Sequence, residues 1–484
     1  MRPACFRLLS ASLLLPLTSF AQPAADSAAH PALRRTAEAA YQKKDFAAAR
    51  DAFAAALALR PDSPRYLHNL AATQALTDRP DEALATLRRL AALGVATAVE
   101  RDPDFASLQG TPAFNAVRTA LAANREPQGQ ADLLVELPGR TGLIEGLAFR
   151  DRTGDLFLGD VHQRCIWRRD RDGRVTRYSA EDEELLGVFG LALDESRQTL
   201  WAATSAVPEM SGFTKDQKGH AALAAFSLVT GELRRVVDVP SDGRDHVLGD
   251  LLVAPDGTIY ATDSSAPIIW RYLPGAEEMD KLVEYPGFVS LQGLVLTHRT
   301  LLVADYANGL FAIDLSDSAP VVRALAPPPH ATLLGLDGLA PAPDGLFAVQ
   351  NGVSPQRLVR IALTPDLATV TGVTVLAAAL PHLDDLALVT LVNGRPTFIA
   401  NAGWDQFDPA KSPRPPAHTV RIFQAALPEP TSRTLSGVIF FHSAHRVPNR
   451  GHEANPPVRS VRAVGWAPCP PCTRFAQVPC ALSG

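Results

Sequence analysis

The chain is poor in several things that would have narrowed its class. It has five cysteines in 484 residues, too few for a disulfide framework, so a large core has to supply the stability. Its formal net charge is −5, with basic and acidic residues interspersed. Without a long run of one sign there is no case for nucleic acid or for an anionic membrane surface. No segment reaches the roughly 20 consecutive apolar residues that a membrane-spanning helix needs. Aromatics make up only 7% and methionines number three.

At this length more than one domain is expected. The first residues carry Arg2 and Arg7, an apolar stretch from Leu8 to Phe20 broken by Pro16, and Ser19-Phe20-Ala21 before Gln22. This pattern reads as a signal peptide, residues 1–21, and implies an exported, periplasmic or secreted protein. At the other end, residues 428–484 are rich in Pro, Arg, His and Ser without periodicity and are expected to be disordered. Cys469-Pro470-Pro471-Cys472 within that tail lacks the second ligand pair that a zinc site normally needs. A disulfide between the two is open but not required.

Residues 30–123 are rich in Ala and Leu with helical periodicity. Tyr41, Ala49, Phe53, Ala56 and Pro61 sit at tetratricopeptide spacing, and Ala83, Leu87 and Leu90 answer 34 residues after three of them. Two such units resemble tetratricopeptide repeats, with a last helix near Asn115 to Ala123 as their cap. Such a domain either presents a groove to a protein partner or serves as a structural cap.

The middle of the chain repeats a strand start centred on glycine. It occurs at Glu145-Gly146-Leu147, Phe189-Gly190-Leu191, Gly249-Asp250-Leu251, Gln292-Gly293-Leu294 and Asp337-Gly338-Leu339, with a looser sixth at Asp384-Asp385-Leu386. The intervals are 43 to 47 residues, except for one of 60, and this is the length of a four-stranded propeller blade. Six units predict a mainly β fold, a six-bladed β-propeller over residues 131–427 behind an all-α domain. Arg125 to Gln130 reads as a linker. Ala131 to Pro138 alternates as a strand and is placed to close the ring against Thr419 to Ala425. The long second interval contains an insertion, Ala206 to His220, which is either a lid over the mouth or a surface excursion.

In a propeller the first strands begin around one channel mouth, so Glu145, Phe189, Gly249, Gln292, Asp337 and Asp384 converge there. Oxygen donors at four of the six places suit a hard divalent cation: Ca²⁺ first, with Mg²⁺, Mn²⁺ or Zn²⁺ as alternatives. The plainer alternative is that these carboxylates bond to neighbouring amides. Further donors stand at second-strand ends around the same mouth, at Asp160, Asp263, Asp305, Asn308, Asn351 and Asn401, while His162 and His246 fall on mouth-side loops.

At these strand starts the propeller resembles the gluconolactonase and regucalcin family of six-bladed calcium-dependent lactonases. The resemblance implies a metal held by Glu145 from blade one and Asp337 from blade five, with Asp337 also the base that activates water. The family's two asparagines depart here to Gln292 in blade four, which keeps an amide oxygen, and Gly249 in blade three, which has no side chain. Asp250 follows Gly249, and simple alternation along a strand turns its side chain to the other face. Substrate contacts are implied at Gly249, Asp250, Phe189, Asp384, Asp305, Asn351 and Asn401. The function implied is hydrolysis of a lactone or similar cyclic ester at the mouth. The alternative is a non-catalytic propeller that binds a small molecule or peptide while the helical repeats recruit a protein.

Overall fold

The computed structural model describes residues 24–427, apart from 141, 181, 183, 318, 413 and 414, and apart from the side chains of 24–28 and 138–140. The signal-peptide reading and the tail with its cysteines lie outside the described residues. Among the described residues no helix is long and apolar enough to cross a membrane.

Five helices come first: α1 (Ala24–Gln42), α2 (Phe46–Leu59), α3 (Pro64–Leu76), α4 (Pro80–Ala92) and α5 (Pro112–Ala123). Their starts are written in the sequence. The Asp45 carboxylate accepts from the Ala48 amide, the Ser63 hydroxyl from Tyr66 and the Thr111 hydroxyl from Phe114. Pro64, Pro80 and Pro112 occupy first-turn positions, where a missing N–H costs nothing. α1 packs on α2, α3 on α4 and α2 on α3. The small residues Ala49, Ala56 and Ala83 are fully buried at these crossings, with Phe53, Leu87 and Leu90 filling the space between them.

Six four-stranded antiparallel sheets follow, spanning 144–177, 187–238, 248–284, 291–325, 336–378 and 389–425. In the sixth, three strands come from the end of the chain and the outermost, Ala131–Arg140, from before the first blade. That strand pairs with His418–Ala425 from Ala131↔Ala425 to Arg140↔His418, so no blade edge is left open where the ring closes. The segment before it is more than a linker: Gln128–Gly129 adds a fifth strand to the edge of blade five, with Gln128 opposite Ala378.

The glycine of the repeat has a steric cause. A Cβ on Gly146 would stand 2.2 Å from the Phe189 carbonyl oxygen of blade two; one on Gly190, 2.8 Å from Asp250 Cα; one on Gly293, 2.4 Å from Leu339 N; one on Gly338, 2.7 Å from Leu388 Cα. In blades one, two, four and five the first strand begins so close to the next that only a backbone without a side chain fits, whereas blade three carries Asp250 at the equivalent place. Outward from the channel, apolar clusters of aliphatic and aromatic side chains fill the space between successive blades.

The helical region docks on the face where the first strands begin. Arg60 Nη2 and His30 Nε2 both donate to Asn308 Oδ1 (2.8 and 3.3 Å), and Asp62 Oδ2 accepts from the Thr332 hydroxyl and the Leu333 amide. Arg357 Nη1 donates to the Gly94 carbonyl at 3.0 Å, and the Ala96 amide to the Ser354 carbonyl at 2.7 Å. The propeller residues involved lie in mouth-side connections of blades four and five, except Arg357, which opens the strand Arg357–Leu363.

Candidate functional site

Every first strand from blade one to blade five slips register at its start, between Ile144 and Gly146, Val188 and Leu191, Leu248 and Leu251, Leu291 and Leu294, and Leu336 and Leu339. A bulge breaks strict alternation and re-aims side chains. The consequence is clearest at Asp250, which does not turn to the far face. Its carboxyl feels the charge of Asp337 and adds to the field on Glu145. Asp250 is therefore a channel residue, contrary to the alternation argument.

Four carboxyls, Glu145, Asp250, Asp337 and Asp385, share this space. Burial, then the charge of Asp337, pushes Glu145 well above its ordinary value, with Asp385 and Asp250 acting in the same direction and the Trp404 hydrogen bond against them. Burial pushes Asp250 up to about 8 and Asp337 to about 6. The influences on Asp250 and Asp337 include no lysine, arginine or histidine. Like charges in a poorly solvated space disfavour full ionisation, so the mouth calls for protons or for a cation. Asp337 is 7% exposed, whereas Glu145 and Asp250 are enclosed by protein yet keep a surface on the channel.

The neighbours of these groups are specific. Asn351 Nδ2 donates to Asp337 Oδ2 at 2.5 Å and to the Leu386 carbonyl at 2.8 Å, leaving its own Oδ1 buried with no hydrogen-bond partner. Trp404 Nε1 donates to Glu145 Oε2 at 2.6 Å, and its ring lies tilted against Phe189 with centroids 6.3 Å apart. The Trp404 turn is itself anchored by Asp385 Oδ2, which accepts from the amides of Gly403 and Asp405. Gly403 has φ +102°, and a Cβ there would meet the His418 ring at 2.6 Å. Gln292 Nε2 donates to the Ser290 hydroxyl. At Gly249 a Cβ would lie 2.6 Å from Ser264 Oγ and 3.8 Å from Gln292 Oε1, so these two groups occupy the direction in which a longer side chain would have pointed.

The other expected donors are already engaged. Asp305 is fully buried and accepts from the amides of Val289, Ser290, Ala307 and Asn308. Asp160 and Asp263 do the same in blades one and three, each also accepting from an indole, Trp167 or Trp270. The strand registers place Thr204 and Gln350 in the corresponding position of blades two and five. This second ring ties the mouth-side loops together. Asn401 is spent on the Thr419 carbonyl and the Arg421 amide. Asp384 is exposed; in blade six it is Asp385 that reaches the field of Glu145.

Neither loop histidine is a solvated surface residue. His162 is buried, with Nδ1 on the Glu209 carbonyl, and His246 is buried between Asp263 and Asp242, at 2.6 and 3.0 Å. The insertion of residues 206–220 is stitched to the rim: Met210 is buried, its sulfur accepts from the Gly187 amide, and the Ser211 amide donates to the His162 carbonyl.

Hard oxygen donors suit a divalent cation in kind. Among the described residues no three His, Cys, Asp or Glu side chains already stand as a ligand set, so the amide oxygens of Gln292 and Asn351 are needed to complete one. The unpartnered Asn351 oxygen beside Asp337 is consistent with that role. Trp404 and Asp385 were not legible as site residues from the repeat. Trp404 meets Glu145 across 259 residues of sequence, and no periodic signal spans that distance.

No protein-family model matches the chain, and no curated protein sequence does. Solved structures similar to it include a gluconolactonase from Xanthomonas campestris, 16% identical, with a TM-score of 0.43 over 63% of this chain and 93% of that one. A PQQ-bound aldose sugar dehydrogenase from Streptomyces coelicolor is 17% identical, with a TM-score of 0.42 over 62% of this chain and 99% of that one. A virginiamycin B lyase from Staphylococcus aureus is 12% identical, with a TM-score of 0.38 over 61% and 99%. At these identities the likeness is one of fold.

Proposed function

We propose that the channel mouth binds a divalent cation, Ca²⁺ first among the candidates, and that the protein hydrolyses a lactone or similar cyclic ester there. The observation that carries this reading is the convergence of Glu145, Asp250 and Asp337 on one space, each pushed upward by burial, beside an unpartnered Asn351 oxygen. The match of Glu145 and Asp337 to the gluconolactonase strand starts supports it from the sequence side. Glu145, Gln292 and Asp337 would hold the ion, with Asn351 completing the oxygen set. A bound cation would polarise the ester carbonyl and stabilise the oxyanion that forms on it.

Asp337 is the base. Burial raises its carboxyl in the metal-free protein, and a cation beside it would favour the ionised form that takes a proton from water. The water oxygen adds to the carbonyl carbon as its proton moves to Asp337. The ring C–O bond then breaks and the proton passes to the departing alkoxide, giving an open-chain hydroxy acid. Phe189 and Trp404 form an apolar wall against which the ring could lie. With its signal-like first residues, the protein would act outside the cytoplasm.

Calorimetric titration with Ca²⁺, Mg²⁺, Mn²⁺ and Zn²⁺, on the parent and on Asp337→Ala, tests the premise, and a pH-stat panel of five- and six-membered lactones tests the reaction. One-to-one binding lost in the variant, with hydrolysis that requires the ion, supports the proposal. Absence of binding by all four ions would overturn it and leave a propeller that recognises a small molecule or peptide without catalysis.

A further inference from the structure

The residues of blade five that face the site are held from behind by the helical domain. Between the strands Gly345–Gln350 and Arg357–Leu363 lies a mouth-side connection, residues 351–356. One side of this connection serves the site. Asn351 holds the Asp337 carboxylate and the Leu386 carbonyl, and Gln356 Oε1 accepts from the Leu386 amide at 2.7 Å.

The other side belongs to the helices. Val353 is 9% exposed and is a member of the helical-domain core, among residues such as Phe105 and Leu108, although it comes from the propeller. Next to it the Ser354 carbonyl accepts from the Ala96 amide. Arg357, 4% exposed, spans the junction. Its Nε donates to Gln350 Oε1 at 2.7 Å, and its Nη1 to the Gly94 carbonyl at 3.0 Å and the Leu93 carbonyl at 3.4 Å. Gln350 in turn donates to the carbonyls of Thr332 and Leu334, and the Thr332 hydroxyl donates to Asp62 between α2 and α3.

We propose that the helical domain is an integral part of the propeller's site, with Val353 and Arg357 acting as positioning residues that fix the 351–356 connection and hence the orientation of Asn351 against Asp337. A buried guanidinium whose fixed fork reaches both domains leaves that connection few alternative placements. An apolar side chain seated in the other domain's core adds an anchor of a different kind. The face of the helices that meets blades four and five is committed to the propeller, so any protein partner of the repeats has to use another face. The proposal builds on the reading of Asp337 as a site residue, but its geometry stands without any cation.

Its test is made on the full chain with Val353→Ala, Arg357→Lys and, as a control, Phe347→Leu, a buried position in the same blade outside the helical core. In protein labelled with ¹⁵N-asparagine, the side-chain amide of Asn351, assigned by its disappearance in Asn351→Asp, reports the bond to Asp337. The expected result is a displaced, slowly exchanging Asn351 amide in the parent and in Phe347→Leu, which moves toward the free-amide position in Val353→Ala and Arg357→Lys. Ca²⁺ affinity should fall about tenfold in these two variants, the order expected when a hydrogen bond to a charged group is disturbed. An Asn351 signal identical in all four proteins would overturn the proposal. If the parent binds no Ca²⁺ the functional reading fails, while the amide signal still decides the positioning role. Should Arg357→Lys not fold, the milder Val353→Ala carries the test.

Discussion

Replacing Asp337 with Asn should make the metal-free protein more stable at alkaline pH than the parent. The carboxyl is raised from an ordinary 3.8 to about 6, with burial the leading cause and the Asn351 hydrogen bond opposing it. A raised folded-state value means that the folded protein holds this proton over a range where the unfolded chain has released it. Stability therefore falls as pH rises from about 4 through about 6, and the deficit persists above that. Two units at about 1.36 kcal/mol each come to about 3 kcal/mol. An asparagine does not titrate, its oxygen can still accept from Asn351, and it relieves the repulsion felt by Glu145 and Asp250. Guanidinium unfolding in EDTA at pH 4.5 and pH 8 measures this directly. Asp337→Asn should lose about 2 kcal/mol less than the parent between the two conditions, because part of the effect is already spent at pH 4.5, above the unfolded-state value; the weakened hydrogen bond to Asn351 acts at both pH values and cancels in the difference. A variant with the parent's full pH dependence would show that Asp337 does not carry a buried, unbalanced charge.

Three further outcomes are expected. Gly146→Ala places a methyl 2.2 Å from the Phe189 carbonyl, an overpacking of backbone on backbone that should cost about 2 kcal/mol or more in denaturant unfolding. Asp263→Ala strips the acceptor from three backbone amides, the Trp270 indole and His246 and should destabilise by about 3–5 kcal/mol, whereas Asp384→Ala, on an exposed carboxyl, should stay within about 0.5 kcal/mol. Because Trp404 occupies one oxygen of Glu145, Ca²⁺ binding should change tryptophan fluorescence, and Trp404→Phe should abolish that change. An unchanged spectrum in the parent at saturating Ca²⁺ would place the ion away from Glu145.

The fold was legible in the sequence because its repeat has a steric origin. Where the next blade's backbone passes under 3 Å from a would-be Cβ, the glycine has to recur. Blade six was the least legible. Its own strand start carries Asp384-Asp385-Leu386 rather than a central glycine, so the repeat marks it only loosely. Spacing alone then pointed to Asp384, one residue short of Asp385. At the site, Glu145, Gln292 and Asp337 were singled out by the period of the strand starts. Asp250 was found but turned the wrong way, because alternation holds along a regular strand and these strands begin with bulges. Asp305 was taken for a mouth donor because a sequence does not tell a carboxylate that faces the channel from one that faces loop amides. Trp404 and the Val353 and Arg357 anchors depend on contacts made between distant blades or between the two halves of the chain, and no local pattern encodes them.

The proposed divalent cation at this channel mouth would be held by Glu145 and Asp337. The most direct measurement is an anomalous difference map from crystals of the full chain soaked in Mn²⁺ at pH 8. A single strong peak in contact with the Glu145 and Asp337 carboxylates, absent from Asp337→Ala crystals, is the predicted result. A map with no peak in the channel, or with one only elsewhere on the surface, would contradict the account.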